Sequence, residues 1–196
     1  MPDMELRALA LSALQHIDPD LKVQAVRATW PLAVDQAIDP THHLLTQQAV
    51  PGRPTRPRLI KPADVPQRSP YTQPGLAALM HAVCHIEFNA INLALDAIWR
   101  FPHMPRDYYL DWWRVAVEEA GHFLMVRDHL RGLGHEYGDF DAHDGLWAMC
   151  EETADDVTAR MALVPRTLEA RGLDATPIIQ AKLRKVGTPQ ANAAVA

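Results

Sequence analysis

Glu87, Glu119 and His122 are the residues of this chain whose types and spacing could do chemistry together. Glu119-Ala-Gly-His122 sets a carboxylate and an imidazole at i and i+3, on one side of a helix. Such a pair can bind one metal ion, with the carboxylate free to bridge to a second. Carboxylates and imidazole suit iron or manganese, whereas a thiolate-rich site favours zinc. An isolated Glu-x-x-His is common on helices, as a surface pair or as a buried histidine satisfied by a carboxylate. What singles this one out is a second carboxylate, Glu87, expected at the same depth on the preceding helix.

Two long helices must position these groups. The first is expected from about 75 to 100, closed by Phe101-Pro102. Its stripe of Leu76, Met80, Val83, Glu87, Ala90, Ala94 and Ile98 defines one buried face, with Glu87 in the middle. An unpaired carboxylate there would cost on the order of several kcal/mol, so Glu87 must be neutral, paired or bound to a cation. The second helix opens after Pro105 and runs to about Leu133, with Gly134 as the stop signal. Its stripe reads Tyr108, Trp112, Val115, Glu119, His122, Val126, His129 and Leu133, while Glu118 lies on a polar row with Asp111 and Arg114. Glu87 is 14 residues before Phe101 and Glu119 is 14 residues after Pro105. In an antiparallel hairpin the two therefore meet at one level, roughly 20 Å from the connection at 1.5 Å per residue. His129, two turns past His122, reads as a core histidine or as a residue supporting a ligand.

The rest of the chain is expected to be helical around an irregular arm. Residues 1–30 form an N-terminal helical segment, with helices over about 3–16 and 20–29. Residues 31–74 are proline-rich, and Pro51, Pro54, Pro57, Pro62, Pro66, Pro70 and Pro74 exclude a long helix. This arm is also the most basic stretch, with Arg53, Arg56, Arg58, Lys61 and Arg68, and reads first as an extended segment wrapped over the folded body. A helical domain spans 75–187, its third helical region covering about 145–171 with a bend at Pro165, followed by a short helix from Pro177 to about Val186. Residues 188–196 read as a disordered tail. The fold class is all-α.

Composition narrows the function classes. A 196-residue chain with 48% hydrophobic residues has enough apolar content for one real core. A formal net charge of −5 argues against a surface dominated by phosphate contacts, so nucleic acid is an unlikely partner. Cys84 and Cys150 are far apart, which fits two ordinary thiols in a reducing compartment rather than a disulfide scaffold. No secretory signal and no membrane-spanning run is evident, so a soluble cytoplasmic protein is expected.

Several segments resemble a bacterial ferritin-like family catalogued as a domain of unknown function. They are His85-Ile-Glu87, Leu93-Ala-Leu-Asp-Ala97, Trp113 through Phe123, Tyr137 through Trp147, and, most specific, Ala159 through Asp174. The resemblance covers roughly residues 50–187. In fold and motif order that family is similar to tRNA-modifying diiron hydroxylases, which also carry a Glu-Ala-Arg segment on the third bundle helix. It implies a ferritin-like four-helix bundle with a dinuclear iron or manganese centre and oxygen-activating oxidoreductase chemistry. Glu87, Glu119 and His122 would be ligands, and Glu169 of Glu169-Ala170-Arg171 would supply the third helix's carboxylate. Glu151, Glu152, Asp155 and Asp156 compete with Glu169 for that place.

The chain departs from the pattern at its C-terminus. The family continues into a fourth helix with a second Glu-x-x-His, but here no Asp, Glu or His follows Asp174. The expected bundle therefore lacks its fourth helix. A truncated reading frame, a partner chain, or a homodimer of two hairpins would each account for this. The competing functional reading is a non-catalytic helical interaction or metal-binding module. RNA modification rests on fold analogy alone.

Overall fold

The computed structural model describes residues 5–163. Among these, helices dominate and no strand occurs, a lone bridge between Leu59 and Ala142 aside. The elements are α1 (Leu6–Gln15), α2 (Pro19–Ala33), a 3-10 turn at Pro62–Asp64, α3 (Gln73–Arg100), α4 (Arg106–Gly132) and α5 (Gly145–Glu152). A further helical stretch begins at 157. The fold class is thus all-α. Glu169, the short helix from Pro177 and the C-terminal tail lie outside the described residues.

The chain divides into two compact units. One holds the residues up to Thr55 together with Glu87–Gly121, and the other Arg56–Ile86 together with the residues from His122 on. The division cuts across α3 and α4 themselves, not across a linker.

In the first unit, α1 and α2 start at acidic caps. Glu5 accepts from the Arg7 and Ala8 amides, and Asp18 from those of Asp20 and Leu21, with Pro19 in the first turn. α2 runs to Ala33 and carries Pro31 inside it, longer than the expected 20–29. Two buried cations tie the irregular segment to the helices. Arg7 donates to the carbonyls of Asp39, His42, Ile98 and Trp99, so a charge with 1% of its surface exposed has four of its five donors engaged by these carbonyls. Lys22 donates to the carbonyls of Leu14 and Gly52 and to Asn92 Oδ1, and sits over the Phe88 ring. Tyr109 closes the α3–α4 connection by donating to the Phe101 carbonyl at 2.9 Å, and Trp113 donates to the Val26 carbonyl at 3.2 Å.

In the second unit, the segment from Arg56 is clasped to the residues after α4. The Ile60 amide donates to the Ala142 carbonyl, the Ala142 amide donates to the Arg58 carbonyl, and the Arg58 guanidinium grips Asp141 through two nitrogens. Leu76, Ala77, Met80 and Leu130 form a core cluster with Leu79, Val83, Leu133 and Phe140 packed against it.

Three expectations need correction. The helix expected over 145–171 breaks after Glu152. The Arg160 guanidinium donates to the Cys150 carbonyl and to Thr153 Oγ1 at the end of α5, while Asp156 caps the next helix by accepting from the Thr158 and Ala159 amides. The buried residues of α4 are Tyr109, Trp113, Ala116, Ala120, Phe123, Val126, Arg127 and Leu130, of which only Val126 belongs to the expected stripe. Adjacent aromatic pairs, Tyr108-Tyr109 and Trp112-Trp113, make two rows look alike in sequence, and it is Tyr109 and Trp113 that are fully buried, their polar tips bonded to the Phe101 and Val26 carbonyls. Finally, α3 is long and apolar enough to cross a membrane by length and composition, although 61% of its apolar window is buried inside the protein.

Candidate metal centre

α3 and α4 keep an antiparallel register. Near their connection Tyr108 Oη donates to the Ala97 carbonyl at 3.3 Å. In the other unit Cys84 Sγ lies 3.9 Å from the Phe123 carbonyl. Moving along α3 towards its start, the opposing residue on α4 advances by the same count, which sets Glu87 level with Glu119.

Glu87, Glu119 and His122 each offer one ligand atom, and these atoms lie within 4.8 Å of one another. Glu119 and His122 converge because they are one turn apart on the unbroken α4. Ligands of a shared ion, with bonds of about 2.1 Å, sit up to roughly 4.2 Å apart, so small side-chain rotations bring all three within reach of one cation. Two carboxylates and an imidazole form a hard-to-borderline donor set that fits iron or manganese. The donor count fits one ion held from one side.

The depth of the site differs from the sequence expectation. Glu87 and Glu119 are half-buried and His122 is exposed, because the ligands border the buried rows of their helices. Partial exposure lowers the cost of keeping two carboxylates charged at close range. Glu118 is exposed on the polar side, as its spacing predicts.

The rivals to Glu169 do not join the cluster. Glu151 accepts from Trp147 Nε1, Asp156 serves as a cap, and Glu152 and Asp155 are exposed. His129 is half-buried, and burial holds its imidazole below the ordinary 6.5. Its Nε2 meets no hydrogen-bond partner among the described residues.

A cluster that sequence reading missed lies in the second unit, on α3 before the ligand. His85 Nε2 is 3.2 Å from the His143 carbonyl oxygen, to which it donates, and Nδ1 lies 2.9 Å from Tyr137 Oη. His81 Nε2 accepts from the Gly138 amide at 2.9 Å, and its ring stacks on Tyr137. Burial pushes His81 down to about 4, against a raising effect of Asp139 and a further lowering by His135. His81 is therefore held neutral, and both imidazoles fasten the connection after α4 to α3. The i, i+4 spacing of His81 and His85 on a buried row was the available signal.

A family profile described as "Protein of unknown function (DUF455)" matches residues 15–196. The chain belongs to that family. It is 45% identical over 183 residues to an uncharacterized protein of Haemophilus influenzae, an alignment covering 88% of this chain and 64% of the relative. The chain thus spans less than two thirds of that relative's length. No solved structure matches the chain.

Proposed function

We propose that the α3–α4 hairpin carries a carboxylate–histidine centre for iron or manganese, in a ferritin-like protein of oxygen-activating oxidoreductase descent. The convergence of Glu87, Glu119 and His122 carries this reading. Glu87 comes from one helix and Glu119 with His122 from the next, at one level, which is half of the ligand scheme of dinuclear carboxylate bundles. Bound there, iron or manganese would supply oxygen activation. The chain's own contribution would be to hold two carboxylates and an imidazole on helices, with Glu119 as the candidate bridging carboxylate and His122 as a candidate terminal ligand. Arg100 and Asp96, paired at 2.6 Å on the buried side of α3, support that helix towards its connection.

The test is metal binding by Glu119→Ala beside Glu118→Ala. Glu119→Ala should lower iron or manganese affinity by at least tenfold with helical content unchanged, and Glu118→Ala should match the parent. Equal binding by all three proteins would sink the assignment. The second reading, a helical interaction module without catalysis, is favoured by the exposure of His122 and predicts no stoichiometric metal.

A further inference from the structure

Two histidines of the first unit, neither of them in the carboxylate–histidine cluster, meet at its surface. His43 lies in the irregular segment after α2, and His103 in the connection between α3 and α4. Their ring centroids are 6.0 Å apart, with the ring planes inclined at 72°. The backbones that carry them are fixed. Arg7 donates to the Asp39 and His42 carbonyls and, through its other nitrogens, to those of Ile98 and Trp99. Trp99 Nε1 donates to the Leu44 carbonyl at 3.0 Å, and the His103 amide to the Pro40 carbonyl at 2.6 Å. His43 is thus bracketed by two anchored residues. His103 has a φ of 61°, in the left-handed region that few side chains adopt. Both side chains are exposed, so packing of the core does not account for an imidazole at either place.

Two imidazoles can share an ion at this spacing. With bonds of about 2.1 Å, an ion sits roughly 3.2 Å from each ring centroid, so the centroids stand about 5.2 Å apart at a tetrahedral angle and about 6.4 Å apart when the ligands are opposed. The observed 6.0 Å falls inside that span, and turning the rings brings a nitrogen of each to one point while the backbones stay in place. We propose that His43 and His103 bind one zinc ion, each through a ring nitrogen, at a site separate from that of Glu87, Glu119 and His122. Among the described residues no third histidine, cysteine or carboxylate completes a cluster with the pair. A donor set of imidazole alone suits zinc or copper, where the carboxylate-rich set suits manganese or iron. Two protein ligands leave two positions of a tetrahedral ion to water, so the ion is exchangeable. Bound there, it clips the segment after α2 to the α3–α4 connection.

The experiment is a Zn²⁺ titration of the full chain with isotope-labelled histidine, followed by NMR of the ring nitrogens, so that each imidazole reports for itself. The His43 and His103 signals should shift together, with one midpoint. His43→Gln should raise the zinc dissociation constant read at His103 by at least about tenfold. His103→Asn, whose side chain tolerates a left-handed φ, should do the same to the constant read at His43. His42→Gln, which leaves both rings in place, should match the parent. Separate midpoints for the two rings, or a constant at His103 untouched by His43→Gln, would mean two independent surface histidines and overturn the shared site. A loss of affinity in His42→Gln as large as in the variants of the pair would overturn it as well. The iron or manganese reading stands or falls separately, on its own binding test.

Discussion

Lys22 sits with none of its surface exposed, its ammonium divided among Leu14 O, Gly52 O and Asn92 Oδ1. Burial, with the nearby charge of Arg53 adding, pushes it down to about 7 from 10.5. The folded state thus releases this proton before the unfolded chain does. Between pH 7 and 10.5 the unfolded chain binds more protons, so the contribution of Lys22 to stability is least below 7 and rises with pH. Denaturant midpoints of the parent should rise between pH 7 and 9 relative to those of Lys22→Met. A gap between the two proteins that does not change with pH would refute the account. Lys22 also marks a limit of sequence reading. Glu87, Glu119 and His122 were legible because helical spacing is a local property. The partners of Lys22 lie up to 70 residues away in the chain, and no local pattern announces them. The depth of His122 failed for a related reason. Apolar residues occupy more than one row of α4, and neighbours in space decide which row is buried.

α3 and α4 were the elements most open to prediction, since each is bounded by proline or glycine and carries sustained periodicity. The break between α5 and the helix starting at 157 was not, because Thr153, Asp156 and Arg160 act through capping bonds that leave the apolar spacing intact. The irregular segment is likewise fixed by close approaches that composition does not reveal. Gly52 donates its amide to the Leu14 carbonyl at 2.8 Å, at the end of α1. A Cβ on Gly52 would run into the Gln15 carbonyl group and come within 2.7 Å of the His16 carbonyl carbon. These are backbone atoms that cannot turn aside. Gly52→Ala should therefore cost about 2 kcal/mol through overpacking. For a chain of this size that is a fall of about 4–8 °C in Tm. Thermal unfolding followed by circular dichroism would show it, and a Tm within 1 °C or so of the parent would mean that the segment can shift away from α1.

Among the described residues, Lys22, His81 and Glu136 are the groups with the largest shifts, and all three push stability in the same direction with pH. Lys22 acts between 10.5 and about 7. His81 acts between its ordinary 6.5 and about 4, because the buried imidazole accepts from Gly138 and resists a proton that the unfolded chain takes up. Glu136 acts between 4.5 and about 2: burial tends to raise it, but bonds from Arg127, Arg131 and the Tyr137 amide outweigh that and hold it low. In each window the unfolded chain binds more protons than the folded one, so stability falls step by step as pH is lowered. Tm measured from pH 4 to 9 should keep rising past the pI of about 6.0. His81→Gln should reduce the slope between pH 6.5 and 4, leaving the part due to His129, since the new amide can still accept from Gly138 but takes up no proton. A parent profile that is flat from pH 5 to 8 would show that these buried groups do not govern the folded state. A slope between 6.5 and 4 that survives His81→Gln undiminished would assign it to another residue.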